Sequence, residues 1–126
     1  MPWSKSLGAA QLVAEIGPAD TGTTKNLGEV PAGHLVTDVT VVIETALSGG
    51  TPSLTIGDAG DADGWVESAA ISEGVVGAYK GTTAGGASYV ANGKYYPSKT
   101  VLTAAVSAGL TSGRALVLAR VVNVLG

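Results

Sequence analysis

The stretch His34-Leu-Val-Thr-Asp-Val-Thr-Val-Val-Ile-Glu44 decides the fold class. Its odd positions read Leu35, Thr37, Val39, Val41 and Ile43. Its even positions read His34, Val36, Asp38, Thr40, Val42 and Glu44. Side chains of an extended chain alternate between two faces, so this order gathers the odd set on one side. β-branched residues lose rotamer freedom in a helix and fit a pleated surface. The segment predicts a long strand with its odd residues toward a core.

Shorter strand and turn signals lie on both sides of it. Downstream, Ser48-Gly-Gly-Thr-Pro52 is a turn, and Ser53-Leu-Thr-Ile-Gly57 is a short strand with Leu54 and Ile56 inward. Residues 35–47 and 53–57 are expected to pair as a hairpin. Asp58 to Gly64 is a tight acidic loop, Trp65 to Glu67 is extended, and Ala69 to Ile71 is a helical turn. Val75 to Lys80 and Ser88 to Val90 read as strands. Asn92-Gly93 is a hairpin signal, because both residues tolerate positive φ. Lys94 to Tyr96 follows it, and Thr100 to Val106 is a further strand. Upstream, Ala9 to Ile16 suits a strand or a short helix, and residues 17–33 read as loop. Residues 1–8 are an N-terminal arm before a single domain, 9–126. These elements predict an all-β, antiparallel β-sandwich, jelly-roll-like, of about eight short strands.

Composition narrows the function. The 126 residues include 19 Gly, one His and no Cys, with 13% charged residues and a net charge of −3. Without Cys there is no disulfide scaffold, thiolate nucleophile or Cys-ligated zinc. Seven scattered basic residues do not make the dense footprint that nucleic acid requires. No apolar run reaches the length of a membrane-spanning helix. Gln11 and Glu15 interrupt the apolar stretch after the N-terminus, so cytosolic synthesis is expected.

No residue set makes a catalytic constellation. Asp58, Asp61 and Asp63 are weak candidates for a calcium site. Their spacing before Gly64 differs from the EF-hand order, and a turn with aspartates bonded to backbone amides is the expectation. His34 lies about 13 Å along a strand from Asp38, too far for a catalytic pair. Gly81 to Gly86 lacks the Gly-Lys-Ser/Thr of a phosphate loop. Trp65 and Tyr95 are expected in the core, although Trp65 with Tyr89, Tyr95 and Tyr96 would alternatively make a sugar platform. A non-enzymatic role with no cofactor and no small-molecule substrate follows.

Arg114-Ala-Leu-Val-Leu-Ala-Arg-Val-Val-Asn-Val124 is apolar on both faces apart from Arg120 and Asn123. A two-layer sandwich covers one such face with its own core. The other is expected to meet neighbouring subunits. Val117, Ala119 and Val121 are taken as that interface, with Arg120 needing a partner there.

Three segments together resemble small virion proteins of tailed phages, the capsid decoration (cement) proteins and head-fibre modules. They are the strand running into Ser53-Leu-Thr-Ile-Gly-Asp-Ala-Gly-Asp-Ala-Asp-Gly-Trp65, then Ala91-Asn-Gly-Lys-Tyr-Tyr-Pro-Ser98, then Leu110-Thr-Ser-Gly-Arg-Ala-Leu-Val-Leu-Ala-Arg120. The resemblance covers about residues 34–124 and is one of strands and turns. It implies a homotrimer on the outer capsid surface that holds neighbouring capsomers, with the major capsid protein as partner. Trp3 and Lys5 of the arm are the expected capsid or ligand contacts. A tail or fibre component, and a carbohydrate-binding module, are the alternatives.

Overall fold

The long alternating segment forms β3, His34–Ser48. The structure, a computed structural model, describes residues 9–124. The expected arm, with Trp3 and Lys5, lies outside the described residues. The other strands are β1 (Ala9–Ile16), β2 (Thr24–Val30), β4 (Leu54–Gly57), β5 (Gly77–Tyr79), β6 (Lys94–Tyr96), β7 (Thr100–Val106) and β8 (Ser112–Asn123). They form two antiparallel sheets. One has the order β1-β8-β3, with β5 and β6 both pairing the far side of β3; the other has the order β2-β7-β4. The fold is an all-β sandwich.

The pairing is nested. β1 pairs β8, β2 pairs β7, β3 pairs β6, and Ile56 of β4 bridges to Val66. This is one long double-stranded ribbon rolled up so that β3 also meets β8 and β4 also meets β7. Rolling a ribbon in this way gives the two Greek keys of a jelly roll.

Several local expectations change. β3 and β4 do not form a hairpin; they belong to opposite sheets. The Ser48–Pro52 turn carries the chain from one layer to the other. β2 lies within the segment read as loop, because the glycines and prolines of residues 17–33 mask a short strand whose buried anchor is Val30. Residues 88–90 are a turn, and β6 pairs β3 instead of folding back on them. The alternation along β3 also changes phase. Val36 pairs Val121 and Asp38 pairs Arg120, so Thr37 is an extra residue in a bulge. Before the bulge Val36 faces the core. After it Val39, Val41 and Ile43 do, as expected, whereas Leu35 and Thr37 are only half-buried.

The core between the sheets holds Trp65, Ile16, Ile43, Leu54, Ile56 and Leu102 among its fully buried side chains. β8 is the central strand of its sheet, and its small inward residues let the second layer approach. Ala115, Val117, Ala119 and Val121 are all buried in this core. The residues expected to meet neighbours, Val117, Ala119 and Val121, are therefore each 3% exposed within the chain itself. The outward face of β8 carries Leu116, Leu118 and Val122.

Candidate functional site

The acidic loop closes on itself through Asp58. Its Oδ1 accepts the amides of Gly60 and Asp61, each at 3.0 Å, as a short polar side chain in a turn commonly does. The rest of its carboxylate points inward. Tyr96 donates its hydroxyl to Oδ2 at 2.8 Å, Tyr89 donates to Oδ1 at 3.1 Å, and Lys94 Nζ lies 3.2 Å from Oδ2. Trp65 Nε1 donates to the Tyr96 hydroxyl at 3.1 Å. Lys94 also sits over the Tyr89 ring, 4.0 Å from its centroid, and Tyr89 meets Trp65 edge-on at 5.4 Å.

These contacts set the charges. Burial pushes the Asp58 pKa up, but hydrogen bonds from Tyr96, Lys94 and the Asp61 amide, with the Lys94 charge, outweigh it and hold it below the ordinary aspartate value. Burial pulls Lys94 down, and its bonds to Tyr89 and Asp58 more than restore it, leaving it raised. Burial keeps the Tyr96 hydroxyl protonated far above its ordinary range, with the Asp58 charge adding to the effect. A charged, fully engaged carboxylate beside a charged amine has neither a free lone pair for a metal nor a proton to exchange near neutrality. The arrangement is a clamp joining the acidic loop, β6 and the 88–90 turn.

Two glycines make room for it. A Cβ on Gly64 would run into the Tyr89 ring, and one on Gly57 would run into the Asp61 carbonyl. Both are needed for close approach.

The other metal candidates stand apart. Asp61 accepts from Ser88 Oγ at 3.0 Å. A mutual hydrogen bond lowers Asp61 and raises Asp63. Among the described residues no group of three His, Asp or Glu side chains converges as a metal set would. His34 Nδ1 lies 3.2 Å from the Ala32 carbonyl. Trp65 is fully buried and Tyr96 is 3% exposed, so neither can stack on a sugar. Tyr95, expected in the core, is instead 44% exposed, and its neighbour Tyr96 takes the inward place. A cleft of about 470 Å³ is lined by Thr37, Val39, Thr82 and Val90, with Asp38 and Lys80 paired at 4.0 Å.

The outer face of the β1-β8-β3 sheet is the most distinctive surface. Residues opposite one another in register share a face. Val13 lies opposite Leu118, and Leu116 opposite Val42. Val122 lies opposite Leu35, which in turn faces Tyr95. Val13 is 58% exposed. Between these rows runs a polar one, Gln11, Arg120 and Asp38. Arg120, expected in a buried contact, is exposed in the chain alone. At the end near the β3–β4 turn, Arg114 bridges Glu15 and Glu44 at 3.0 Å each. Sequence reading found this apolar face but chose the wrong side of β8, because alternation alone does not say which side the second sheet covers.

No protein-family model and no curated protein matches the chain. Its fold is similar to solved chains from three phage capsids. In the capsid asymmetric unit of cyanophage Pam1, a chain aligns with a TM-score of 0.64 at 18% identity, over 97% of this chain and 99% of that one. In the acid-stable capsid of Helicobacter pylori bacteriophage KHP30, the TM-score is 0.69 at 14% identity, over 92% and 88%. In the capsid of Ralstonia phage GP4, it is 0.62 at 13% identity, over 98% and 87%.

Proposed function

We propose that this chain is a structural virion protein of a tailed phage, a decoration protein bound to the outer surface of the assembled head. Its partners are the major capsid protein and further copies of itself in a homotrimer. The observation that carries this reading is the likeness in fold, over nearly the whole chain, to chains of phage capsids. The apolar outer face of the β1-β8-β3 sheet supports it. Leu118, Leu116 and Val122, all half-buried, line up with the exposed Val13 and with half-buried Val42 and Leu35 as apolar rows on that face. Burial around a closed axis removes that surface from water. The threefold stoichiometry is what the resemblance to decoration proteins implies; apolarity does not count subunits.

Sedimentation equilibrium tests the self-association, with a trimer expected at micromolar concentration. Co-sedimentation with heads assembled without this protein tests the shell contact. A protein that stays in the supernatant contradicts the decoration role.

A further inference from the structure

Asn92-Gly93 carries the turn residues of a hairpin but makes none. Residues 88–92 are turn, and β6 begins at Lys94 and pairs β3. The fold explains the glycine. Gly93 has a φ of +70°, and a Cβ there would lie 2.6 Å from the Val36 carbonyl oxygen. The fold does not explain the asparagine. Asn92 is exposed, it does not use the left-handed backbone that Asn tolerates, and its carboxamide bonds to no other described residue.

The amide nitrogen that follows an Asn can attack the side-chain carbonyl carbon of that Asn. A Cβ on the following residue hinders the approach, and a hydrogen bond from that amide restrains it. Gly93 has no Cβ, and its amide has no acceptor among the turn and loop bonds of the described residues. The comparable positions are closed. Gly64, after Asp63, is buried, and its amide donates to the Asp61 carbonyl at 3.2 Å. Val124, after Asn123, donates to the Gly33 carbonyl at 3.2 Å. Asn26 lies within β2 and is followed by Leu27, whose branched side chain flanks its amide.

We propose that Asn92-Gly93 is a site of spontaneous modification, at which the asparagine deamidates in the folded chain. Hydroxide takes the Gly93 amide proton, and the nitrogen bonds to Asn92 Cγ. The bond from Cγ to Nδ2 breaks, and Nδ2 leaves as ammonia with a proton from water, which restores the hydroxide. Water then opens the succinimide. Opening at the Cγ carbonyl leaves aspartate at 92. Opening at the main-chain carbonyl leaves isoaspartate, in which the chain runs through the former side chain. Either product carries a new carboxylate. Isoaspartate also lengthens the main chain by a methylene between Tyr89 and Lys94, which both hold Asp58, and so loosens the clamp. The site needs no partner and is independent of the role proposed above.

The test uses the full chain, aged at mildly alkaline pH both folded and in urea, then digested for mass spectrometry. The expected result is the mass gain of deamidation at 92 in the folded chain, at a rate within a few-fold of that in urea and rising with pH. Part of the product should accept methyl groups from an isoaspartyl methyltransferase, and the aged protein should unfold at a lower midpoint than fresh protein. A gain at 92 in urea alone, with the folded chain protected there as at Asn26 and Asn123, overturns the proposal. Isoaspartate forming equally fast at Asp63 in the folded chain shows that an engaged amide gives no protection, and overturns it too. Isoaspartate at 92 with an unchanged midpoint overturns the effect on the clamp. Asn92→Gln closes the corresponding larger ring far more slowly, so it should abolish the gain and leave the midpoint of fresh protein unchanged. A lowered midpoint in that variant shows that the carboxamide holds the turn, and contradicts its freedom to react.

Discussion

Asp58 is 3% exposed, yet its environment keeps it charged. Two tyrosine hydroxyls, two amides and an ammonium replace the water it loses. Removing one side of such a cluster strands the rest, which is where the large cost arises. Asp58→Ala is expected to destabilise the fold by about 3 kcal/mol in urea unfolding. Lys94 is one-third exposed, so Lys94→Met should cost less, about 1 kcal/mol. The folded pKa of Asp58 is depressed, so its contribution is fully present above the unfolded value, near 4, and is lost as pH falls through the folded value. Unfolding midpoints measured from pH 6 downward should fall in the wild type. In Asp58→Asn the fall below pH 4 should be shallower. Gly64→Ala should also destabilise, because the new methyl must displace Tyr89. The acidic loop was legible in the sequence as a turn. Its partners were not, because Tyr89, Lys94 and Tyr96 lie 31 to 38 residues away and reach it only once the ribbon is rolled.

At the scale of the element, β8 carries two apolar faces with different roles. Val117 faces the core at 3% exposure, and Leu118 faces outward. Val117→Asp buries an unpaired charge and should unfold the chain. Leu118→Asp should leave circular dichroism and the unfolding midpoint of the isolated chain nearly unchanged while it dissociates the oligomer in sedimentation. Unfolding by Leu118→Asp would contradict this assignment of faces. A near-continuous apolar run identified β8 as a strand, and alternation identified β3, where period two survives in residues 39–43. It failed at Thr37, where one inserted residue exchanges the faces. Deleting Thr37 should restore a regular ladder, because Val36 already lies opposite Val121 and Asp38 opposite Arg120, so Val36 keeps its place in the core and the unfolding midpoint should change little.

At the scale of the whole molecule, the fold class followed from alternation and turn spacing, but the connectivity did not. Residues 35–47 and 53–57 are close in sequence and carry hairpin-like turn residues, yet β3 and β4 lie in opposite layers. The ribbon's pairs are distant ones, β1 with β8 and β2 with β7, and no local pattern specifies them. Small residues on β8 and β7, such as Ala104, Ala115 and Ala119, let the layers come close around Trp65. With few large side chains, this core gains less from burial than one rich in Phe and Leu. The exposed apolar face of the β1-β8-β3 sheet offers the further burial.

The most direct measurement is binding to assembled phage heads that lack this protein, read by co-sedimentation at increasing protein concentration. Saturable binding in whole multiples of three copies per capsomer site, with heads made more resistant to heat, is the predicted result. Protein that remains in the supernatant above micromolar concentration, while the heads stay intact, would contradict the account.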